Sequence, residues 1–261
     1  MHGWTDAHDH LQDPRLGDPA PVIAGMRKAG IERCIVNATC EGDWQAVDAL
    51  TIAEPDFVLP AFGIHPWQAH TAAEGWQGRL AEMLKKHPRA SIGECGLDRW
   101  VSSPPIAVQR PIFRDQVKLA CDMQRPLTIH CLKAWGPLFE LFAATPPPPA
   151  FLMHSFNGSL ETARRLIPLG AYFSFSGHFL HERKSSVLEV FRQLPQDRIL
   201  LETDAPDMRP PDEQVLHPLP EFLNHPANLP AIGQALAAAL AMTPGCLADL
   251  TRNNAVRCFG L

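Results

Sequence analysis

His8 and His10 stand two residues apart in an early run, Thr5 to His10. If that run is a strand, alternate side chains leave by one face and both imidazoles point the same way. Four further polar residues close apolar runs: Glu94 after Ser-Ile-Gly, His130 after Leu-Thr-Ile, His154 after Phe-Leu-Met and Asp204 after Leu-Glu-Thr. Any one of these is more often an ordinary loop residue than a ligand. Six of them on five strand ends reverse that weighting, because so many polar groups cannot stay buried unpaired and metal coordination satisfies them together.

Such residues meet only if a particular set of elements brings their strand ends to one place. Short runs rich in β-branched residues recur at Thr5 to His10, Arg33 to Ala38, Val58 to Gly63 and Ser91 to Glu94. They continue at Leu127 to Cys131, Phe151 to His154, Tyr172 to Ser176 and Ile199 to Thr203. Helix-length segments lie between them, among them Ala20 to Lys28, Trp44 to Ala53, Gln109 to Met123 and Leu160 to Ile167. Strand and helix alternating eight times predict an α/β fold, a (β/α)8 TIM barrel in which the C-terminal strand ends share one mouth. Asn228 to Ala241 and Gly245 to Cys258 read as C-terminal helices packed on the barrel. Proline clusters at 104–105, 146–149 and 206–220 mark loops, the last one long enough to form part of a rim.

A length of 261 residues fits one such barrel, so residues 1–261 are expected to form a single domain. With 46% apolar and 20% charged residues the composition is that of an ordinary globular chain, and no apolar stretch reaches the length of a membrane span. The opening MHGWTDAHDH lacks the basic end and apolar stretch of a secretory signal, so a cytoplasmic location is expected. Seven cysteines, an odd number without a CxxC pair, read as reduced thiols. A net charge of −5 excludes a protein that coats nucleic acid electrostatically but leaves room for a local basic pocket. No segment reads as the dock of an obligate protein partner.

The segments Asp6-Ala-His-Asp-His-Leu11, Gly63-Ile-His-Pro66, Gly93-Glu-Cys-Gly-Leu-Asp98, Ile129-His-Cys131, His154-Ser-Phe-Asn-Gly158, Glu202-Thr-Asp-Ala-Pro206 and Asn254-Ala-Val-Arg-Cys-Phe-Gly-Leu261 follow one another along nearly the whole chain. In this order they resemble the TatD family of metal-dependent deoxyribonucleases, within the amidohydrolase-like barrels. The resemblance implies two divalent metal ions: one held by His8, His10, Glu94 and Asp204, the second by Glu94, His130 and His154, with Glu94 bridging. Two ions clamp the attacking and leaving oxygens of a phosphodiester and lower the pKa of the attacking water, whose proton Asp204 would accept. Mixed nitrogen and oxygen ligands suit zinc, manganese or iron, and magnesium less well.

His65 is a candidate to bind the scissile phosphate as cation or donor, the alternative being a loop histidine that holds its turn. Glu202 shares a face with Asp204 and is expected to support a ligand histidine; Asp98 would do likewise or cap the next segment, and Asn157 and Gly158 would shape the loop beside His154. His178, His181, His217 and His225 read as structural or solvent-exposed. The chain departs from the family in its substrate wall. Leu132-Lys133-Ala134 stands where relatives carry Arg-Asp-Ala, Arg99-Trp100 follows Gly-Leu-Asp, and His225-Pro-Ala-Asn228 replaces a Glu-Pro. Arg99, Lys133, Trp100 and Arg209 are therefore expected to meet phosphate or stack on a base of a DNA or small phosphodiester substrate. Two other readings are an amide, ester or lactone hydrolase, disfavoured because Glu94 stands where such enzymes use a modified lysine, and a noncatalytic metal-retaining scaffold.

Overall fold

The computed structural model describes residues 3–260; Met1, His2 and Leu261, the last residue of the closing motif, lie outside the described residues. Eight strands run in sequential order. They are β1 (Trp4–Asp9), β2 (Ile31–Asn37), β3 (Val58–Phe62), β4 (Ser91–Asp98), β5 (Leu127–Leu132), β6 (Phe151–Met153), β7 (Ala171–Ser176) and β8 (Ile199–Glu202). Every neighbouring pair is parallel. The seam between the last and first strands is closed just beyond β8, where the Asp204 N–H donates to the His8 carbonyl at 3.0 Å and the His10 N–H to the Ala205 carbonyl at 2.9 Å. The result is the expected (β/α)8 barrel.

Parallel neighbours need a crossover, and helices supply it: α1 (Pro19–Lys28), α2 (Trp44–Ala53), α3 (Trp76–Lys86), α4 (Ile106–Asp122), α5 (Trp135–Ala144), α6 (Leu160–Leu166) and α7 (Ser185–Phe191). Two more, α8 (Leu229–Ala239) and α9 (Pro244–Phe259), follow the last strand. Local chemistry sets their ends. The Asp18 carboxylate accepts the Ala20 N–H and Pro19 opens α1; Thr243 and Pro244 do the same for α9, where the Thr243 hydroxyl accepts the Cys246 N–H. Gly260, at φ 68°, closes α9 in the left-handed region. Every residue of β1, β4 and β7 is buried, which is why these strands read as runs rather than alternations.

Strand boundaries match expectation closely except in β4, which continues to Asp98 instead of stopping at Glu94. Its pairing with β5 shifts register between Ile92 and Cys95 and then resumes through Asp98. Gly96 makes this possible: it sits at φ 143°, and a Cβ there would lie 1.9 Å from the His130 carbonyl oxygen. Glu94 therefore lies within a strand, and Asp98 ends it.

Apolar packing fills the space between sheet and helices, with Phe62, Phe113, Phe151, Phe173, Phe175 and Phe191 fully buried. A smaller cluster joins Ala7, Ile35, Leu59, Leu152 and Leu200 to Ala255, Cys258 and Phe259 of α9. All seven cysteines are free thiols, as expected. Among the described residues no single helix is long and apolar enough to cross a membrane. The long loop after β8 is tied down by Asn224, whose amide donates to the Thr203 carbonyl at 2.9 Å and whose N–H donates to the Pro206 carbonyl at 2.9 Å.

Because the Gly96 Cβ position is filled by backbone, Gly96→Ala must push β4 away from β5. The expected cost is about 3 kcal/mol or more, a fall in melting temperature of roughly 6–12 °C on thermal denaturation. An unshifted melting temperature would show that the two strands can separate freely.

Candidate metal centre

The mouth of the barrel holds a cleft of about 550 Å³ whose lining includes His10, His65, Trp67, Glu94, His130, His154 and Asp204. A concavity of comparable size at the opposite end of the strands is lined by Pro147, Arg125, Arg257 and neighbours, and no carboxylate or histidine lines it among the described residues. Of the two, the mouth is the one that offers convergent donors among the described residues.

Glu94 lies at its centre, 3% exposed, and its two oxygens face different ways. Oε2 is 3.3 Å from His8 Nε2 and 3.4 Å from His10 Nε2. Asp204 Oδ1 completes that side at 3.5 Å from each of the two imidazole nitrogens, which are themselves 3.2 Å apart. Oε1 faces His154 Nε2 at 2.8 Å, His130 Nδ1 at 3.1 Å and His65 Nε2 at 3.2 Å. His130 Nδ1 and His154 Nε2 are 3.2 Å apart.

The outward ring atoms fix the tautomers. His10 Nδ1 lies 2.7 Å from the Asn37 carbonyl oxygen, which can only accept, so Nδ1 carries a proton and in the neutral ring it is Nε2 that turns a lone pair to the centre. His130 Nε2 lies 2.8 Å from Asp98 Oδ2, so Nδ1 is the free lone pair. His65 is the reverse: its Nδ1 accepts the Trp67 N–H at 3.1 Å, which puts the proton on Nε2 and aims a donor, not a lone pair, at the cleft. Burial also pushes the His65 pKa down to about 4 against the pull of Glu94, so this ring is neutral at pH 7 and offers a hydrogen bond rather than a charge.

This donor set fits divalent cations. Ring nitrogens of His8 and His10 converge on Glu94 and Asp204, and those of His130 and His154 on Glu94, so a cation between them would satisfy each set at once. A tetrahedral cation bound at roughly 2.0–2.1 Å separates its donors by roughly 3.3–3.4 Å, and the His8 and His10 ring nitrogens lie 3.2 Å from each other and 3.3–3.5 Å from the Glu94 and Asp204 oxygens. The electrostatics agree. Burial opposes charge on Glu94 and Asp204, yet the surrounding imidazoles hold both well below the usual carboxylate range. In return Asp204 and Glu94 raise His10 and the Glu94 and Glu202 carboxylates raise His154, each against its own burial. The site is built to hold positive charge.

Position follows from the fold. The closing hydrogen bond from Asp204 N–H to the His8 carbonyl sets Asp204 beside β1. Asp204 itself is at φ 52°, and Lys133 and Ser155, at φ 54° and 42°, turn the chain equally sharply after β5 and β6. Gly63 lets β3 and β4 approach, since a Cβ there would come within 2.8 Å of Glu94 backbone, and Gly93 lets β4 approach β5, where a Cβ would lie 2.7 Å from Thr128. Asp98 performs both of the roles considered for it. Besides binding His130 it accepts the Trp100 N–H at 2.5 Å and the Trp67 Nε1–H at 2.8 Å, and these partners outweigh burial and take its pKa down to about 2.

Glu202 supports His154 less directly than expected: its Oε1 is 3.7 Å from His154 Nδ1, too far for a hydrogen bond, and is occupied by the Ser155 N–H and hydroxyl at 2.8 and 2.6 Å. A side chain on Gly158 would strike Phe156 at 2.7 Å, whereas Asn157 is exposed. Arg99 and Lys133 are exposed outside the cleft lining, Lys133 Nζ resting 4.0 Å from the Trp100 ring centroid. Arg209 is paired with Asp212 at 2.7 Å. His225 caps its own turn through the Ala227 N–H, and His181 reaches the Arg209 carbonyl. Sequence reasoning missed Trp67, although it follows the His65-Pro66 pair directly. It also missed Arg15, which binds Asp13 at 2.8 Å and Asp207 at 2.7 Å and so ties the loops after β1 and β8.

The family model for TatD-related DNase matches residues 5–260. The chain belongs to the TatD-related DNase family. Relatives in it include a 3′-5′ ssDNA/RNA exonuclease TatD of Edwardsiella piscicida, 32% identical over 94% of both chains. A metal-dependent hydrolase, YabD, of Bacillus subtilis is 31% identical over 97% of this chain and 98% of its own. Among solved structures, the TatD homologue YjjV of Escherichia coli superposes with a TM-score of 0.89 at 26% identity, covering 99% of this chain and 98% of that one. A Listeria monocytogenes lactonase, at 13% identity and TM-score 0.62, shares the TatD-like barrel and carries the fold comparison alone.

Since Asp98 holds His130 through a hydrogen bond at 2.8 Å, Asp98→Asn is expected to weaken divalent-metal binding about 10- to 100-fold. Calorimetric titration with manganese or zinc measures this, and unchanged affinity would detach Asp98 from the metal centre.

Proposed function

We propose that this chain is a divalent-metal-dependent phosphodiesterase, a TatD-like deoxyribonuclease that works as an exonuclease on accessible DNA ends. His8, His10, Glu94 and Asp204 would hold one cation and Glu94, His130 and His154 the other. What carries this reading is Glu94, whose two oxygens each face a separate group of imidazole nitrogens within 3.4 Å.

When bound, such cations would supply positive charge for the attacking and leaving oxygens of a phosphodiester and would make a water acidic enough to attack near neutral pH. The protein's own groups do the rest. Asp204 Oδ1 is turned to His8 and His10, which leaves Oδ2 to orient the attacking water and accept its proton. The neutral His65 would offer its Nε2–H as a hydrogen bond to a nonbridging phosphate oxygen. Asn37 and Asp98, behind His10 and His130, keep both rings from rotating as charge moves. The carbon-centre alternative has no comparable support: no lysine replaces Glu94 at the shared position, and the lactonase likeness concerns the fold.

Two predictions follow from this assignment. End-labelled single strands should be shortened by the metal-reconstituted protein and protected by chelator, and Asp204→Asn should lower kcat by about 10²- to 10⁴-fold. Turnover on lactones or amides with no strand cleavage would replace the proposal by the carbon-centre reading. Glu94→Ala should abolish nearly all activity, and full activity in that variant would remove Glu94 from the bridging role.

A further inference from the structure

The two sides of the cleft differ in charge. On the side formed by the loops after β1, β2 and β8, Asp13, Asp43 and Asp207 line the opening. Arg15, their cationic neighbour in that lining, is already bonded to both Asp13 and Asp207. A phosphate chain leaving this way would be repelled. The opposite rim, after β4 and β5, carries Arg99 and Lys133, neither of which forms an ion pair among the described residues.

That rim is also aromatic. Trp67 lines the cleft 46% exposed, with its ring 5.0 Å from His65, and Trp100 stands further out at 63% exposure. One carboxylate orders both: Asp98 Oδ2 takes the Trp67 indole N–H and Oδ1 takes the Trp100 backbone N–H. Lys133 covers part of the Trp100 ring at 4.0 Å, and the high exposure shows that much of the indole remains open to solvent. Large exposed aromatics beside unpaired cations, in line with a reactive cleft, match the way unpaired bases and their phosphates are held.

We infer that a single strand leaves the metal centre over the β4–β5 rim, stacking its bases on Trp67 and then Trp100 while Lys133 and Arg99 meet its phosphates. The inference rests on the phosphodiesterase reading and adds the strand's path, its chemistry and the residues that select it. A duplex cannot present its base faces to these rings, so the same rim favours unpaired ends.

The test compares a thymidine oligonucleotide with an abasic strand of equal length, which keeps the phosphates and removes the bases. For the wild type the KM ratio of abasic to thymidine strand should be about tenfold or more, and Trp100→Ala should lower it by about fivefold or more toward the share that Trp67 supplies, with Trp100→Phe restoring most of the loss. Thermal denaturation of the variant checks its fold, which the exposed position of Trp100 leaves little reason to change. Lys133→Ala should reduce the slope of log KM against log salt by about 0.7 on both strands. A ratio that survives in Trp100→Ala overturns the stacking role, as does an equal KM rise on both strands. Wild-type protein that cleaves no strand overturns the nuclease reading and this path with it, whereas cleavage with an unaffected ratio overturns the path alone.

Discussion

A carboxylate buried as deeply as Glu94 is costly by several kcal/mol unless charges and hydrogen bonds compensate it, and much of the surrounding structure exists to supply that compensation. Five imidazole nitrogens lie within 3.4 Å of its oxygens, drawn from β1, the end of β3, β5 and the end of β6. Glycines at 63, 93 and 96 let the strands around it come close enough, and the β8–β1 seam brings in Asp204 as the second negative charge. A barrel suits this demand because its strand ends converge from every side, something an open sheet edge does not offer.

The same arrangement links the aromatic rim to the candidate metal centre. Asp98 is one residue with three tasks: it orients His130, bonds the Trp67 indole and shapes the turn that presents Trp100. Movement at the aromatic rim is therefore felt one hydrogen bond away from His130, which faces Glu94. Arg15 plays the matching part on the acidic side, where its bonds to Asp13 and Asp207 keep two loops together beside His10.

Much of this was legible in the sequence for a physical reason. Parallel strands buried on both faces write themselves as apolar runs, and a polar residue at the end of such a run stands out, as His130, His154 and Asp204 do. The length of β4 was hidden because it depends on a glycine conformation at residue 96 that only a neighbouring strand explains. The roles of the second ring atoms were hidden too. Nothing local says that His10 answers to the Asn37 carbonyl while His65 answers to its own turn, and that difference turns opposite ring nitrogens of the two histidines toward their own partners. Arg15 escaped notice because its partner Asp207 lies 192 residues away.

The most direct measurement is the number of manganese ions bound per chain, with the electron paramagnetic resonance spectrum of the saturated protein, for wild type and Glu94→Ala. The account predicts two ions per wild-type chain with the magnetic coupling of a bridged pair, and loss of the coupling together with at least one ion in the variant. A single ion at saturation in the wild type, or two ions retained and still coupled without Glu94, would contradict it.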